Sequence, residues 1–225
     1  MSPVAAALAE PFRGVLLDLD GTLVDSIPAV ERSWLRWCRE YGIEPERLRG
    51  AHGVTARILI ERLLPEEQRE AAHDRILALE LADVDGTEAL PGAADLLTRL
   101  RDAGVATAVV TSSSAPLAAA RLRATGLPRP EVLVTASDVE RGKPWPDPWL
   151  LASGRIGVEP ADCIVVEDAV AGLRAAQAAG CRGLAAVTST TPRSELEGLA
   201  HLVVRDVAGL PVEMAGGLVR VVGGA

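Results

Sequence analysis

Apolar residues along this chain fall into two rhythms. From Asp18 onward, short runs rich in Val, Leu and Ala recur at Val105–Val110, Val132–Val134, Cys163–Val166, Gly183–Val187 and Leu202–Val204, each bounded by Gly, Thr, Ser or Asp. Continuously apolar runs of that length predict buried strands rather than half-exposed ones. Longer stretches with helical spacing, such as Ala93–Ala103 and Pro116–Thr125, separate them. Alternation of this kind predicts a parallel α/β sheet covered by helices on both faces, a doubly wound, Rossmann-like core.

The rhythm breaks between Ser26 and Ala89, where only helical periodicity is found: Val30, Trp34, Trp37, Cys38 and Tyr41 recur on one stripe, and Val54, Ile58, Ile76 and Leu77 continue the pattern. The expected organisation is therefore a core of residues 1–24 and 90–225 with a small helical domain, residues 25–89, inserted into it. Aromatic residues at helical spacing usually pack together, and Trp34 and Trp37 are read that way, as the insertion's own core rather than as substrate contacts.

The first predicted strand, Val15-Leu16-Leu17, runs into Asp18-Leu19-Asp20-Gly21-Thr22. Side chains two apart on a strand share a face, so Asp18 and Asp20 are expected to project together into the crevice at the strand's carboxyl end, where open α/β sheets bind ligands. Two carboxylates so placed can divide nucleophilic from acid/base work. A second copy of the pattern, Asp83-Val84-Asp85-Gly86-Thr87, follows a helix-like stretch and precedes the linker Glu88–Gly92. No strand end presents those acids, and the segment reads as the return hinge of the insertion.

Composition narrows the function classes. The 225 residues are 48% hydrophobic and 24% charged, and 23 basic against 31 acidic side chains leave a formal net charge of -8. That charge repels nucleic acid and anionic membrane surfaces, so neither is an expected partner. The three cysteines are widely spaced and form no C-x-x-C pair, which points away from a disulfide framework or a zinc site and toward a cytoplasmic setting. No secretory leader, transit segment or membrane span is read, and a monomer is expected.

Asp18-x-Asp20-Gly21-Thr22, then Thr111-Ser112-Ser113 after a strand, Lys143-Pro144 in a loop and Glu167-Asp168 after another strand together resemble the haloacid dehalogenase superfamily, over almost the whole chain. The helical insertion between the first two motifs resembles that superfamily's α-helical cap. By this resemblance Asp18 is the nucleophile, and Asp20 protonates the leaving group and then activates water. Mg²⁺ is the implied cofactor, held by Asp18, Asp168 and the backbone carbonyl of Asp20, with Glu167 as an outer orienting group. Thr111, Ser112 and Lys143 are implied phosphate-binding groups, Thr111 and Lys143 also counting with the catalytic set. A threonine at a strand end also serves structure alone, and a run of serines can be merely a polar turn.

Lys143 stands out independently. It is the only lysine in the chain, so the other 22 basic residues are arginine. Retention of one lysine points to a place where a compact ammonium on a flexible stem cannot be exchanged for a planar guanidinium.

Haloacid dehalogenases proper lack an acid at the position of Asp20, phosphonatases need a cap lysine that this insertion lacks, and the superfamily's transport ATPases carry a threonine there and membrane spans. The stretch from Ser26 through Trp34 to His52-Gly53 is similar to the sugar and polyol phosphatases, which act on 2-deoxyhexose, hexose and glycerol phosphates. The expected partner is thus a small phosphorylated metabolite. In the cap, His52, Gly53 and Arg57 are candidate substrate contacts; His52 could instead make a local hydrogen bond at a helix start, and Arg57 merely cover a solvated face. Two alternatives stay open: a β-phosphoglucomutase-like mutase, weakened because Pro28-Ala29-Val30 stands where that mutase has a histidine, and a non-catalytic binder of a phosphorylated metabolite. Trp149 is expected against the core, Trp145 is left open as a pocket-rim residue, and the tail from Ala208 reads as either a last edge strand or a loose segment.

Overall fold

The computed structural model describes residues 3–49 and 54–222. In chain order it contains α1 (Pro3–Ala9), β1 (Gly14–Asp18), β2 (Val24–Asp25), α2 (Ile27–Tyr41), α3 (Ala56–Leu63), α4 (Glu66–Ala82), β3 (Glu88–Ala89), α5 (Ala93–Asp102), β4 (Ala106–Val110), α6 (Ala115–Thr125), β5 (Val132–Val134), α7 (Asp147–Ile156), β6 (Cys163–Glu167), α8 (Val170–Ala178), β7 (Gly183–Val187), α9 (Arg193–Leu196), β8 (Leu202–Val204), β9 (Val212–Ala215) and β10 (Leu218–Val221). Six strands form one sheet in the order β5-β4-β1-β6-β7-β8, all parallel.

Strand β1 lies in the middle, with Leu16 level with Ala108 of β4 on one side and Val165 of β6 on the other. Every residue of β1 is buried, which explains why its sequence is unbroken by polar residues before Asp18. Alternate side chains feed opposite layers. Val15 and Leu17 join Val109, Leu97 and Leu122 on one face, whereas Leu16 joins Val110, Trp149 and Leu173 on the other. The chain builds outward from β1 in both directions, so the switch point of the sheet, where such folds place their ligands, falls at the carboxyl end of β1.

Strands β2 and β3 pair antiparallel, Val24 with Ala89 and Asp25 with Glu88. This ribbon is where the chain departs into α2, α3 and α4 and returns from them. Part of the stretch read as a plain linker after Thr87 is therefore a short strand. The three helices enclose a cluster of their own, with Trp34, Trp37, Cys38, Leu59, Ile60 and Ile76 among its members. Trp37 is fully buried, stacks on Tyr41 at 4.8 Å, meets Trp34 edge-on at 5.2 Å, and donates its indole N–H to the Ala72 carbonyl at 2.9 Å. The Asp83–Thr87 copy of the motif lies between α4 and β3, and Asp83 is spent on a forked ion pair with Arg32.

The tail forms neither an edge strand of the main sheet nor a loose segment. It folds into the β9–β10 hairpin, and Val219 exchanges backbone hydrogen bonds with Phe12. Its apolar Val219 plugs the lower core beside Phe12, a role that alternation in a two-stranded ribbon serves and a central strand would not. Among the described residues no helix is long and apolar enough to cross a membrane.

Trp37→Ala is expected to destabilise the protein by about 3–5 kcal/mol, because it empties the centre of the helical insertion and removes the indole's hydrogen bond to the Ala72 carbonyl. Denaturant unfolding, with the midpoint and slope compared to wild type, measures this.

Candidate active site

The strand ends deliver the acids. Asp18 closes β1, and Asp168 follows Glu167, the last residue of β6. Gly21 turns the chain with φ of 90°, and its missing side chain matters twice: the backbone is in the left-handed region, and a Cβ would collide with the Asp168 carboxylate and Thr190. Asp18, Glu167 and Asp168 are all buried, and their ligand atoms lie within 4.8 Å of one another.

Lys143 enters this acidic cluster from the loop before α7. Its ammonium donates to Asp18 Oδ1 at 2.6 Å, to Glu167 Oε1 at 2.7 Å and to the Val110 carbonyl at 3.3 Å. The three N–H donors of an ammonium are thereby used in three divergent directions, which a planar fork cannot reproduce. The Trp149 ring lies 4.5 Å beneath it, and Trp149 is fully buried with its indole bonded to Gly172, as the sequence led us to expect.

Both oxygens of Glu167 are engaged. Oε1 receives Lys143, and Oε2 receives the amides of Asp168 and Ala169 at 2.7 and 2.6 Å, just ahead of α8. Asp168 accepts the Thr190 hydroxyl. Asp18 differs: Oδ1 is pinned by Lys143, whereas Oδ2 is buried without a hydrogen-bond partner.

Three buried carboxylates face one ammonium. Burial raises the Asp18 carboxyl to about 7 despite Lys143, and burial together with the neighbouring Glu167 and Asp18 raises Asp168 well above the ordinary range. Asp18 and Glu167 hold Lys143 above its usual value against the cost of burial. Two uncompensated negative charges and an orphaned carboxylate oxygen fit a hard divalent cation with oxygen ligands.

Asp20 lines the same cavity but keeps separate company. Ser26 donates to Oδ1 at 2.8 Å, Thr111 and Ser113 donate to Oδ2 at 3.1 and 2.9 Å, and Arg121 reaches Oδ1 at 2.9 Å. Asp20 lies beyond the end of β1, and its partners differ from those of Asp18, although both line the cavity. Thr111 was expected to offer its hydroxyl to phosphate; here that hydroxyl is directed at Asp20 and also receives the Ser113 amide.

The cavity, about 570 Å³, lies between the strand ends and the inserted helices. Asp18, Asp20, Thr111, Ser112 and Asp168 line its floor, and Trp34, Leu59 and Leu77 line its roof. Trp34 therefore combines packing with a place on the wall, while Trp37 belongs to the packing alone. Arg57 also lines the cavity, mostly in solvent, 3.7 Å from Glu70. Trp145 is half exposed under the Arg141 guanidinium rather than on the cavity wall. His52 and Gly53 lie outside the described residues.

Residues 12–180 match the sequence pattern of haloacid dehalogenase-like hydrolases. The chain belongs to this family. Among its relatives in the haloacid dehalogenase-like group, hexitol phosphatase A of Escherichia coli is 45% identical over 195 residues, 84% of this chain and 90% of that protein. The 2-deoxyglucose-6-phosphate phosphatase 1 of Saccharomyces cerevisiae is 31% identical, over 88% of this chain and 89% of that protein. In three dimensions, the crystal structure of a hydrolase from Pseudomonas syringae overlays with a TM-score of 0.80 at 27% identity, covering 86% of this chain and 93% of that one.

Several residues of this haloacid dehalogenase-like site escape the motifs. Arg121 and Glu80 are the main ones; Ser26 and Thr190 are the others. Each of the first two breaks an apolar helical stripe, Arg121 following Leu117 and Ala118, Glu80 following Ile76 and Leu77, and a charge on a buried face is a readable signal. Burial raises Glu80 to about 7, with Arg121 opposing.

Gly172, in the first turns of α8, carries a further constraint, because a Cβ there would overlap the Glu167 carboxylate. Alanine in a helix ordinarily gains up to about 1 kcal/mol over glycine. Displacing a buried, fully bonded carboxylate costs about 1–3 kcal/mol or more, so Gly172→Ala is expected to lower the melting temperature. A rise in melting temperature would show that Glu167 yields freely.

Proposed function

We propose that this chain is a magnesium-dependent phosphatase that hydrolyses a small phosphate monoester, a sugar or polyol phosphate, through an aspartyl-phosphate intermediate. The observation that carries this reading is Asp18, with one oxygen fixed by Lys143 and the other unpartnered at the floor of a cavity. Hexitol phosphatase A, at 45% identity, supplies the substrate class.

Asp18 Oδ2 attacks phosphorus as the bond to the leaving oxygen breaks, and Asp20 passes a proton to that oxygen. A water then attacks phosphorus, the bond to Asp18 breaks, and Asp20 takes the water's proton, leaving inorganic phosphate and the free alcohol. Lys143 holds the attacking carboxylate in one orientation and offsets its charge. Asp18, Asp168 and the backbone carbonyl of Asp20 would hold Mg²⁺, with Glu167 orienting Lys143 and the loop amides. When bound, the cation supplies positive charge against the phosphoryl oxygens. The cavity suits a compact organic body and no macromolecule, with Ser112 and Thr111 nearest the phosphate end and Arg57 on the cap side.

The test is phosphate release from hexitol, hexose, 2-deoxyhexose, glycerol and glycolate phosphates, with Mg²⁺ and after chelation. Turnover of one or more sugar or polyol phosphates is expected, abolished by chelation and restored by Mg²⁺. Asp18→Asn should lose at least about 1,000-fold in kcat. Glucose 6-phosphate formed from β-glucose 1-phosphate with little free phosphate would make the enzyme a mutase. Tight binding without turnover would make it a sensor.

A further inference from the structure

The carboxylate assigned above to proton transfer is held by an unusual cation. Arg121 rises from α6 with its side chain only 4% exposed. One guanidinium nitrogen reaches Asp20 Oδ1 at 2.9 Å and donates to Ser113 Oγ at 2.7 Å. The other nitrogen faces Glu80 Oε1 at 3.9 Å, and Glu80 belongs to α4 of the inserted helices, with its own side chain 10% exposed. Trp34, on α2, lines the same cavity as Glu80. Arg121, Glu80 and Asp20 all line the cavity of the proposed substrate.

A buried guanidinium is costly unless its donors meet carboxylates in good geometry. Here one cation is divided between a core carboxylate that must move a proton and an insertion carboxylate that has no part in phosphoryl transfer. Asp20 accepts four donors, two at each oxygen, and of these only the guanidinium carries charge. Of the four, the hydroxyls of Ser26, Thr111 and Ser113 can rotate to become acceptors. The guanidinium cannot, and its position is set by the packing of α4 on α6.

We propose that Arg121 is the positioning residue for Asp20, and that Glu80 is the insertion's half of the same clamp, so that the setting of the proton-transfer carboxylate depends on where α4 lies. The inference rests on the phosphatase reading, in which Asp20 delivers the proton to the leaving oxygen. Arg121 touches neither phosphorus nor the leaving group. Its removal acts through Asp20, and the effect depends on how badly the leaving oxygen needs a proton.

The experiment compares leaving groups. p-Nitrophenolate departs without protonation, whereas an alkoxide from glycerol phosphate or a hexitol phosphate does not. Wild type, Arg121→Gln, Arg121→Lys and Glu80→Gln are measured with Mg²⁺, using the pre-steady-state burst of p-nitrophenolate and steady-state kcat and KM on the alkyl phosphates. Arg121→Gln is expected to lower kcat on alkyl phosphates about 100-fold, within the range of general acid catalysis, with KM within threefold and the burst rate within about threefold of wild type. Arg121→Lys, which can reach one carboxylate but not span two, should recover about tenfold, and Glu80→Gln should lose about tenfold on alkyl phosphates alone. Equal losses on both substrate types, or a change confined to KM, would overturn the proposal and leave Arg121 as a structural or substrate-binding group. Should Arg121→Gln not fold, Arg121→Lys and Glu80→Gln decide the same comparison. A wild type with no burst and no turnover would refute the phosphatase reading itself, and this inference with it.

Discussion

The buried ammonium of Lys143 is the contact on which the rest of the site depends. It ties the ends of three neighbouring strands, β1 through Asp18, β4 through the Val110 carbonyl and β6 through Glu167, and rests on Trp149 of α7. Remove the cation and three buried carboxylates, Asp18, Glu167 and Asp168, face one another without it. Remove either carboxylate partner and the buried ammonium loses one of its three acceptors, which is the expensive way to break a buried pair. The loop carrying Lys143 is therefore held as firmly as the strands, although it has no regular structure of its own.

A division of labour between two cations follows from this. Lys143 lies wholly within the core and fixes Asp18; Arg121 lies at the junction of core and inserted helices and contacts Asp20. Two aspartates only two positions apart in sequence thus answer to different parts of the molecule, the first to the sheet and the second to the packing of α4 on α6. The glycine between them and the ribbon, Gly21, makes this split possible by turning the chain within one residue of Asp20.

Much of this was legible in the sequence, for reasons that can be named. Buried strands advertise themselves because water-free positions on both faces leave no room for polar residues, so Val15–Leu17, Val165 and Ala185 could be placed without coordinates. The lone lysine was legible because an arginine-rich chain makes the exception visible. What remained hidden depends on contacts between segments far apart in the chain. Arg121 and Glu80 sit 41 positions apart on different helices, and only packing brings them together. The direction of the Thr111 hydroxyl and the service of Thr190 to Asp168 are of the same kind, set by which neighbour a small polar group happens to meet. The tail was unreadable because a five-residue run, apolar but for Arg220, with a preceding Gly-Gly fits an edge strand and a hairpin equally well, and its choice was made by Phe12.

The ribbon of β2 and β3 has a consequence for how such a chain can change over generations. The two backbones that lead into and out of the inserted helices pair with each other at Val24–Ala89 and Asp25–Glu88, so the ends of the excursion lie about 5 Å apart. Lengthening or replacing what lies between them adds little closure entropy and leaves the sheet register untouched. The helices that roof the cavity can therefore be exchanged while β1 and β6, and with them Asp18 and Asp168, stay where they are; only Asp20, tied through Arg121 to Glu80 of α4, feels the exchange.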